Sequence, residues 1–246
     1  MSGMKGQVVD TESAREFMQE ARKQLSEQDL AAISAECARK AERFRAWFGD
    51  GRAATLTAAD LDAALASVFA ARRRRTEILA AHGASLGGWV AELLEPGRPV
   101  VERFDGFSRR LTAASETVRS DLAGEILHFT EPERYWLWTR WMWDPRVRTG
   151  ALPLVTMEEV ELEGTSAGDT YARVGEAVAF VHATGNAAGF TRAEDGPFAI
   201  DVFLASVYAV YMYTTLRMRM TQEFNQVVPK LPELCRRLLG VLPASA

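Results

Sequence analysis

Cysteine and histidine are scarce in this chain of 246 residues, which contains two cysteines and three histidines. Cys37 and Cys235 lie far apart in sequence, so they fit two buried thiols in a reducing compartment better than a disulfide framework. The N-terminus also lacks the apolar core of a signal peptide. From these absences we predict a cytoplasmic protein.

Motifs for nucleophilic catalysis and phosphate binding are missing as well. The sequence has no Gly-x-Ser-x-Gly nucleophile elbow. Its glycine-rich stretch at residues 82–88, HGASLGG, lacks the lysine and the preceding strand of a phosphate-binding loop. The net charge of −4 argues against binding driven mainly by nucleic-acid phosphates. We therefore expect a protein without catalytic activity and without a cofactor.

The chain does contain enough apolar material for a core, since 48% of its residues are hydrophobic and 25% are charged. Apolar residues recur at helical spacing along most of it. Only residues 152–164 fit a short strand, and a loop fits them equally well. The fold is therefore predicted to be all-α, an irregular multi-helix bundle with at most one short strand or hairpin. The expected helices cover residues 11–48 (broken near 26–29), 57–83, 86–94, 171–183 and 231–239.

Glu95-Pro96-Gly97 is the best candidate for a domain boundary. It divides the chain into an N-terminal helical layer (1–97) and a main helical domain (98–246), although one continuous domain fits the same pattern. The most hydrophobic stretch is 198–224, and Asp201 is the single charge in residues 198–216. That length approaches a membrane span. Because an aspartate is costly in lipid, we predict a central core helix and no membrane partner.

Residues 115–143 hold four of the six tryptophans. An apolar stripe predicts one amphipathic helix that ends near His128 and Phe129. Thr130, with Glu133 three residues later and Pro132 between them, predicts the capped start of a second helix. So many indoles cannot share one helix face, so the second helix is either surrounded by protein or part of an interface. The indoles in question are Trp136, Trp138, Trp141 and Trp143.

Glu125 and His128 are candidate metal ligands, because a Glu-x-x-His pair on a helix places both side chains on neighbouring turns. Ferritin-like sites use two such pairs and two further carboxylates. Here there is one pair, and the commoner reading is the polar edge of an amphipathic helix.

Arginines cluster in sequence around the same region. Together with the indoles they could form a surface that stacks on bases and contacts phosphates. They could equally lay their aliphatic stems over an aromatic core. The candidate binding residues are Arg109, Arg110, Arg119 and Arg140.

Residues 122–135, LAGEILHFTEPERY, resemble a helix and the following loop in helix-hairpin-helix DNA glycosylases. The resemblance implies a helical scaffold that contacts DNA. Thr117 and Arg119 stand where that family has glycines, which puts the phosphate cradle in doubt. Asp121 stands where lyase-type members have a lysine, and Thr139 replaces the family's aspartate. The resemblance therefore implies a member that kept the scaffold and lost the reaction.

Three hypotheses follow from these observations. The leading one is a non-catalytic helical protein that acts by association, as a homo-oligomer or a subunit of a complex, because tryptophan, tyrosine and arginine anchor interfaces. The second is a nucleic-acid-binding protein on the glycosylase-like scaffold. The third is a helical enzyme that binds a metal or another ligand through Glu125 and His128.

Overall fold

The computed structural model describes residues 7–189, 196–219 and 229–242. Within these residues the chain forms nine α-helices and no sheet, which confirms the predicted all-α class. Two isolated antiparallel bridges join Val9 to Thr156 and Asp144 to Thr149. The helices are α1 (Thr11–Arg22), α2 (Glu27–Phe48), α3 (Ala58–Ser67), α4 (Arg75–Leu94), α5 (Val100–Arg110), α6 (Glu116–Thr130), α7 (Ala167–Ala188), α8 (Ala199–Arg219) and α9 (Leu231–Leu239).

Short polar motifs set several helix starts as the sequence indicates. Ser26 and Asp29 form a reciprocal capping box at the start of α2, and Thr57 and Asp60 form another at the start of α3. The break between α1 and α2 therefore falls where it is predicted. At the other end of the chain, Gly240 ends α9 in the left-handed conformation, with φ of 65°.

Two predicted helices are wrong in their extent. The helix expected over residues 57–83 ends at Ser67, because Val68 is extended and buried and the chain then turns through residues 68–74. Gly83 lies inside α4 and is not a helix cap. The predicted helix 86–94 is the second half of α4. Helix α5 was not predicted, and α7 is longer at both ends than residues 171–183.

The second helix predicted after Thr130 is also wrong, because residues 131–143 form turns and irregular backbone. Two of their carbonyl groups are bonded to helices outside the segment. The Tyr135 carbonyl lies 2.8 Å from His128 Nδ1, and the Trp136 carbonyl accepts a hydrogen bond of 3.1 Å from the Tyr171 hydroxyl. These tertiary contacts replace the i→i+4 bonds that a helix would need.

Helix α6 lies at the centre of the fold. Every residue from Ser120 to Thr130 is buried, and the helix packs against α2, α4 and α5. The buried core runs from Val8 to Val241 as one cluster. Its contacts cross the boundary predicted near residue 97, and the division into two domains stays a prediction.

Helix α8 supplies a large share of that core, and its residues from Ala199 to Val207 are buried. Residues 220–224 of the predicted hydrophobic stretch lie outside the described residues. None of the described helices is long and apolar enough to span a membrane.

Gly124 on α6 makes the close packing of residues 131–143 possible. A Cβ atom added there would lie 2.1 Å from the Trp138 carbonyl oxygen. We expect Gly124→Ala to reduce the free energy of unfolding by about 1–3 kcal/mol, because the backbone of the segment must move away. Urea denaturation followed by tryptophan fluorescence measures the change.

Gly88→Ala is the matched control, since Gly88 is also inside a helix but has no atom within 4 Å of its added Cβ. Alanine there is expected to stabilise the protein by about 0.5–1 kcal/mol through its helix propensity. Equal effects of the two substitutions would contradict the proposed close packing.

Candidate ligand-binding cleft

Three ionisable side chains share one face of α6. Asp121, Glu125 and His128 follow each other at helical spacing, and all three are buried. A buried charge is costly unless it is paired, and each of these groups faces an ionisable partner from another part of the chain. The partners are Arg140, Lys40 and Asp201, respectively.

The central pair joins α2 to α6. Lys40 Nζ lies 2.5 Å from Glu125 Oε2 and donates a second hydrogen bond of 2.9 Å to the Leu239 carbonyl at the end of α9. The ammonium also lies 4.2 Å from the centre of the Phe129 ring, a cation–π distance. Burial raises the pKa of Glu125, although the charge of Lys40 opposes that shift. One ammonium therefore fastens three helices together.

The deepest pair joins α6 to α8. His128 Nδ1 lies 2.8 Å from the Tyr135 carbonyl, which can only accept, so Nδ1 carries a hydrogen. On the other side of the ring, Nε2 lies 2.9 Å from Asp201 Oδ2, at ion-pair distance but without good hydrogen-bond alignment. Burial by itself lowers the pKa of His128, but Asp201 outweighs it and the pKa is raised. The ring therefore presents one nitrogen to a carbonyl and the other to the Asp201 carboxyl group.

The two candidate metal ligands are therefore already bonded to other groups of the protein. Glu125 faces an ammonium, and His128 faces a carbonyl and a carboxylate. Among the described residues, no group of three or more His, Cys, Asp and Glu side chains could hold a metal ion. The arrangement gives the metal hypothesis no support.

Asp121 lies near the start of α6, in the wall of a cleft. The cleft is bounded by the N-terminal ends of α6 and α7 and by residues 131–143, which we call the tryptophan-rich segment. Its volume is about 180 Å³. At a share of roughly 30 Å³ for each molecule of liquid water, this is space for about six water molecules. Its walls include Asp121, Trp138, Arg140, Trp143, Arg146 and Ser166.

Asp121 and Arg140 form a two-point contact in this wall. Asp121 Oδ1 accepts a hydrogen bond of 2.8 Å from the Arg140 backbone N–H, and Oδ2 accepts one of 3.1 Å from its Nε. Burial raises the pKa of Asp121 to about 7, against the opposing effect of Arg140 and with a further contribution from Glu125. A carboxyl group with such a pKa changes charge near neutral pH, as groups in functional sites often do.

The residues that line the cleft include two tryptophans and a second arginine. The Trp138 indole N–H donates 3.0 Å to the Trp143 carbonyl, while the buried Trp143 indole N–H has no partner among the described residues. Arg146 is held by Asp144 through contacts of 3.1 to 3.4 Å. The cleft therefore combines aromatic surface, two guanidinium groups and a titrating carboxyl.

The tryptophans predicted to form an interface lie mostly inside the protein. Trp138, Trp141 and Trp143 are buried, with 4%, 7% and 4% of their surface exposed. Trp136 is partly buried and packs beside His182 at a ring-centre distance of 5.6 Å. Two of the four, Trp138 and Trp143, meet at the cleft.

The four predicted arginines do not form one surface with free guanidinium groups. Arg110 pairs with Glu92 at 2.7 Å, and Arg109 donates to the Asp105 carbonyl. Arg119 donates to the carbonyls of Ala114 and Ser108. Only Arg140 of the four lines the cleft.

Lys40 was not recognised from the sequence as a candidate position. Asp201 and Asp121 were given no role in a site. A signal for Lys40 existed, because it lies at helical spacing within the apolar stripe formed by Ile33, Cys37 and Phe44. Asp201 was visible as the single charge in an apolar run. Their partners were not visible, since residues 40 and 125, like 128 and 201, are brought together only by the tertiary fold.

No protein-family model matches this chain, and no curated protein and no solved structure shows a significant match to it. The resemblance of residues 122–135 to DNA glycosylases stays a prediction.

Lys40→Met tests the buried ion pair. The substitution leaves the Glu125 carboxylate buried without its partner, so we expect a loss of about 3–5 kcal/mol in the free energy of unfolding at pH 7.5. Adding Glu125→Met should recover part of that loss, because it removes the unpaired charge. Arg134→Met, which breaks an exposed ion pair with Glu131, should change stability by less than about 1 kcal/mol. A double variant less stable than Lys40→Met would refute the pairing.

Asp121→Asn tests the titration of the cleft carboxyl. The folded-state pKa of Asp121, about 7, lies above its ordinary value of 3.8. Its contribution to stability is therefore complete below pH 4 and is lost as the pH rises through 7. Relative to Asp121→Asn, the wild type should lose up to about 4 kcal/mol between pH 4 and pH 8. Parallel stability curves for the two proteins in urea denaturation would show that Asp121 titrates normally.

Proposed function

We propose that this protein binds a small molecule in the cleft between α6, α7 and the tryptophan-rich segment. The observation that carries the proposal is the Asp121–Arg140 pair, a buried carboxyl and a guanidinium held together in the wall of a cavity. A carboxyl with a perturbed pKa in a cleft with convergent polar groups is the usual basis for inferring a binding site.

The composition of the walls supports the same proposal. Trp138 and Trp143 offer rigid aromatic surface, which binds apolar parts of a ligand with little loss of side-chain freedom. The hydroxyl of Thr117 and the guanidinium of Arg140 offer directional hydrogen bonds. The volume of about 180 Å³ fits only a small molecule. The ligand binds there without forming a covalent bond.

Association with a partner, the leading hypothesis from the sequence, stays a prediction with less support. Three of the four indoles that suggested it are used inside the chain. Nucleic-acid binding also has less support, because the four arginines are engaged by Glu92, Asp121 and backbone carbonyls.

Thr117→Phe tests the proposal, because Thr117 lines the cleft and is partly buried. A set of small carboxylates, phosphates, amines and neutral aromatic compounds is screened by two-dimensional NMR of the indole N–H signals. We expect at least one compound to shift the signals of Trp138 and Trp143 in the wild type. Phenylalanine at position 117 fills part of the cleft and should weaken that compound's binding at least tenfold.

Thr76→Phe is the matched control. Thr76 is the second residue of α4, as Thr117 is of α6, and it is exposed and does not line the cleft. This variant should bind as the wild type does. The proposal fails if no compound shifts the two indole signals, or if both phenylalanine variants bind equally well.

A further inference from the structure

The chemical class of the ligand follows from the way Arg140 is held, and the inference rests on the binding site proposed above. Asp121 is itself a carboxylate bound to Arg140, so the site already accommodates two carboxylate oxygens. The two terminal NH₂ groups of the guanidinium make no hydrogen bond to another described residue, and 42% of the Arg140 side chain is exposed. Arg140 can therefore donate hydrogen bonds to a second oxyanion, or an oxyanion can replace the Asp121 carboxylate as its partner.

The start of α6 adds a donor that favours the same ligand. The Ser115 side chain caps Val118, which leaves the amide of Thr117 in the first turn of α6 without a partner in the described part of the chain. A helix N-terminus and an arginine together favour an anion.

The negative groups around Asp121 decide when an anion can bind. On its own helix it faces Glu125, whose charge Lys40 balances, and Glu116 lies at the mouth of the cleft. From the loops come Asp144, which is paired with Arg146, and Glu163, which is paired with Arg148. With Asp121 ionised, its charge and that of Glu116 oppose an anion. Protonation of Asp121 removes one of these charges and weakens its hold on Arg140.

We propose that the cleft binds a small oxyanion, a carboxylate or a phosphate, at Arg140 in place of the Asp121 carboxyl group, and that the anion binds to the form in which Asp121 is protonated. Where Asp121 is ionised before binding, the proton comes from solvent and leaves again when the anion dissociates. No covalent bond forms or breaks except the O–H bond of Asp121.

The test uses three probes with the full chain: benzoate, inorganic phosphate and benzylammonium, which matches benzoate in shape and has the opposite charge. Isothermal titration calorimetry is carried out at pH 6 and pH 8. We expect benzoate or phosphate to bind and benzylammonium to bind at least tenfold more weakly. Because the pKa of Asp121 is about 7, the anion's affinity, relative to that of Asp121→Asn at the same pH, should fall about tenfold from pH 6 to pH 8 by linkage. Binding of benzoate without binding of phosphate would identify the ligand class as carboxylates. Binding of phosphate without binding of benzoate would identify it as phosphates.

Variants separate the two roles. In Asp121→Asn the affinity for benzoate should be the same at pH 6 and pH 8, because the linked group is gone, and the affinity for phosphate should vary only with the titration of phosphate itself. Arg140→Gln should abolish binding. Arg134→Gln, which removes an arginine paired with Glu131 outside the cleft, should leave affinity and pH dependence unchanged.

Two results would overturn the inference. One is tighter binding of benzylammonium than of either anion. The other is a pH dependence in Asp121→Asn that equals that of the wild type, which would place the linked proton elsewhere. If the two anions fail to bind while another compound still binds in a manner sensitive to Thr117→Phe, the cleft is a binding site for a different class of ligand. If nothing binds, the proposed function fails as well.

Discussion

The Lys40 ammonium has no access to solvent, and the rest of the structure is arranged to compensate for that. Transfer of a lone ammonium into an apolar interior is prohibitively costly, so every element near Lys40 supplies a group that lowers its energy. Helix α6 supplies the Glu125 carboxylate, the end of α9 supplies the Leu239 carbonyl, and the Phe129 ring supplies its π-face. The positions of α2, α6 and α9 are thereby coupled, because a shift of one helix would leave a charge unpaired.

The same requirement explains why α6 is buried on all sides and still has a polar face. An apolar helix in this position would pack equally well on several neighbours. Glu125 and His128 restrict it to one rotation and one register, since each must meet its own partner on another helix. Polar groups in a core can select one arrangement in this way, at some cost in stability. Gly124 adds a steric restriction on the same helix, because it admits the Trp138 carbonyl at close range.

Local features of this fold were readable from the sequence, and contacts between distant residues were not. The helix break near residues 26–29 and the helix start at residue 57 were predicted, and the structure has capping boxes there that join residues three apart. The similar pattern at Thr130 did not start a helix, because carbonyls of the following residues bond to α6 and α7 instead. The cleft combines residues separated by up to about fifty positions, and no local spacing reveals such a site. Tertiary contacts overrode local preference where the tryptophans lie.

The three ion pairs of α6 differ in which parts of the chain they connect. This difference indicates which pair can take part in ligand binding. Lys40 fastens three helices, and the pair of His128 and Asp201 joins two helices where no solvent reaches them. Arg140 instead belongs to a segment without regular structure, and nearly half of its side chain is exposed. Its separation from Asp121 would leave the helix packing intact, since no helix depends on that pair for its position. A ligand can replace one partner only where the exchange does not unfold the protein. The pair that contributes least to the architecture is therefore the one best suited to exchange its carboxylate for another.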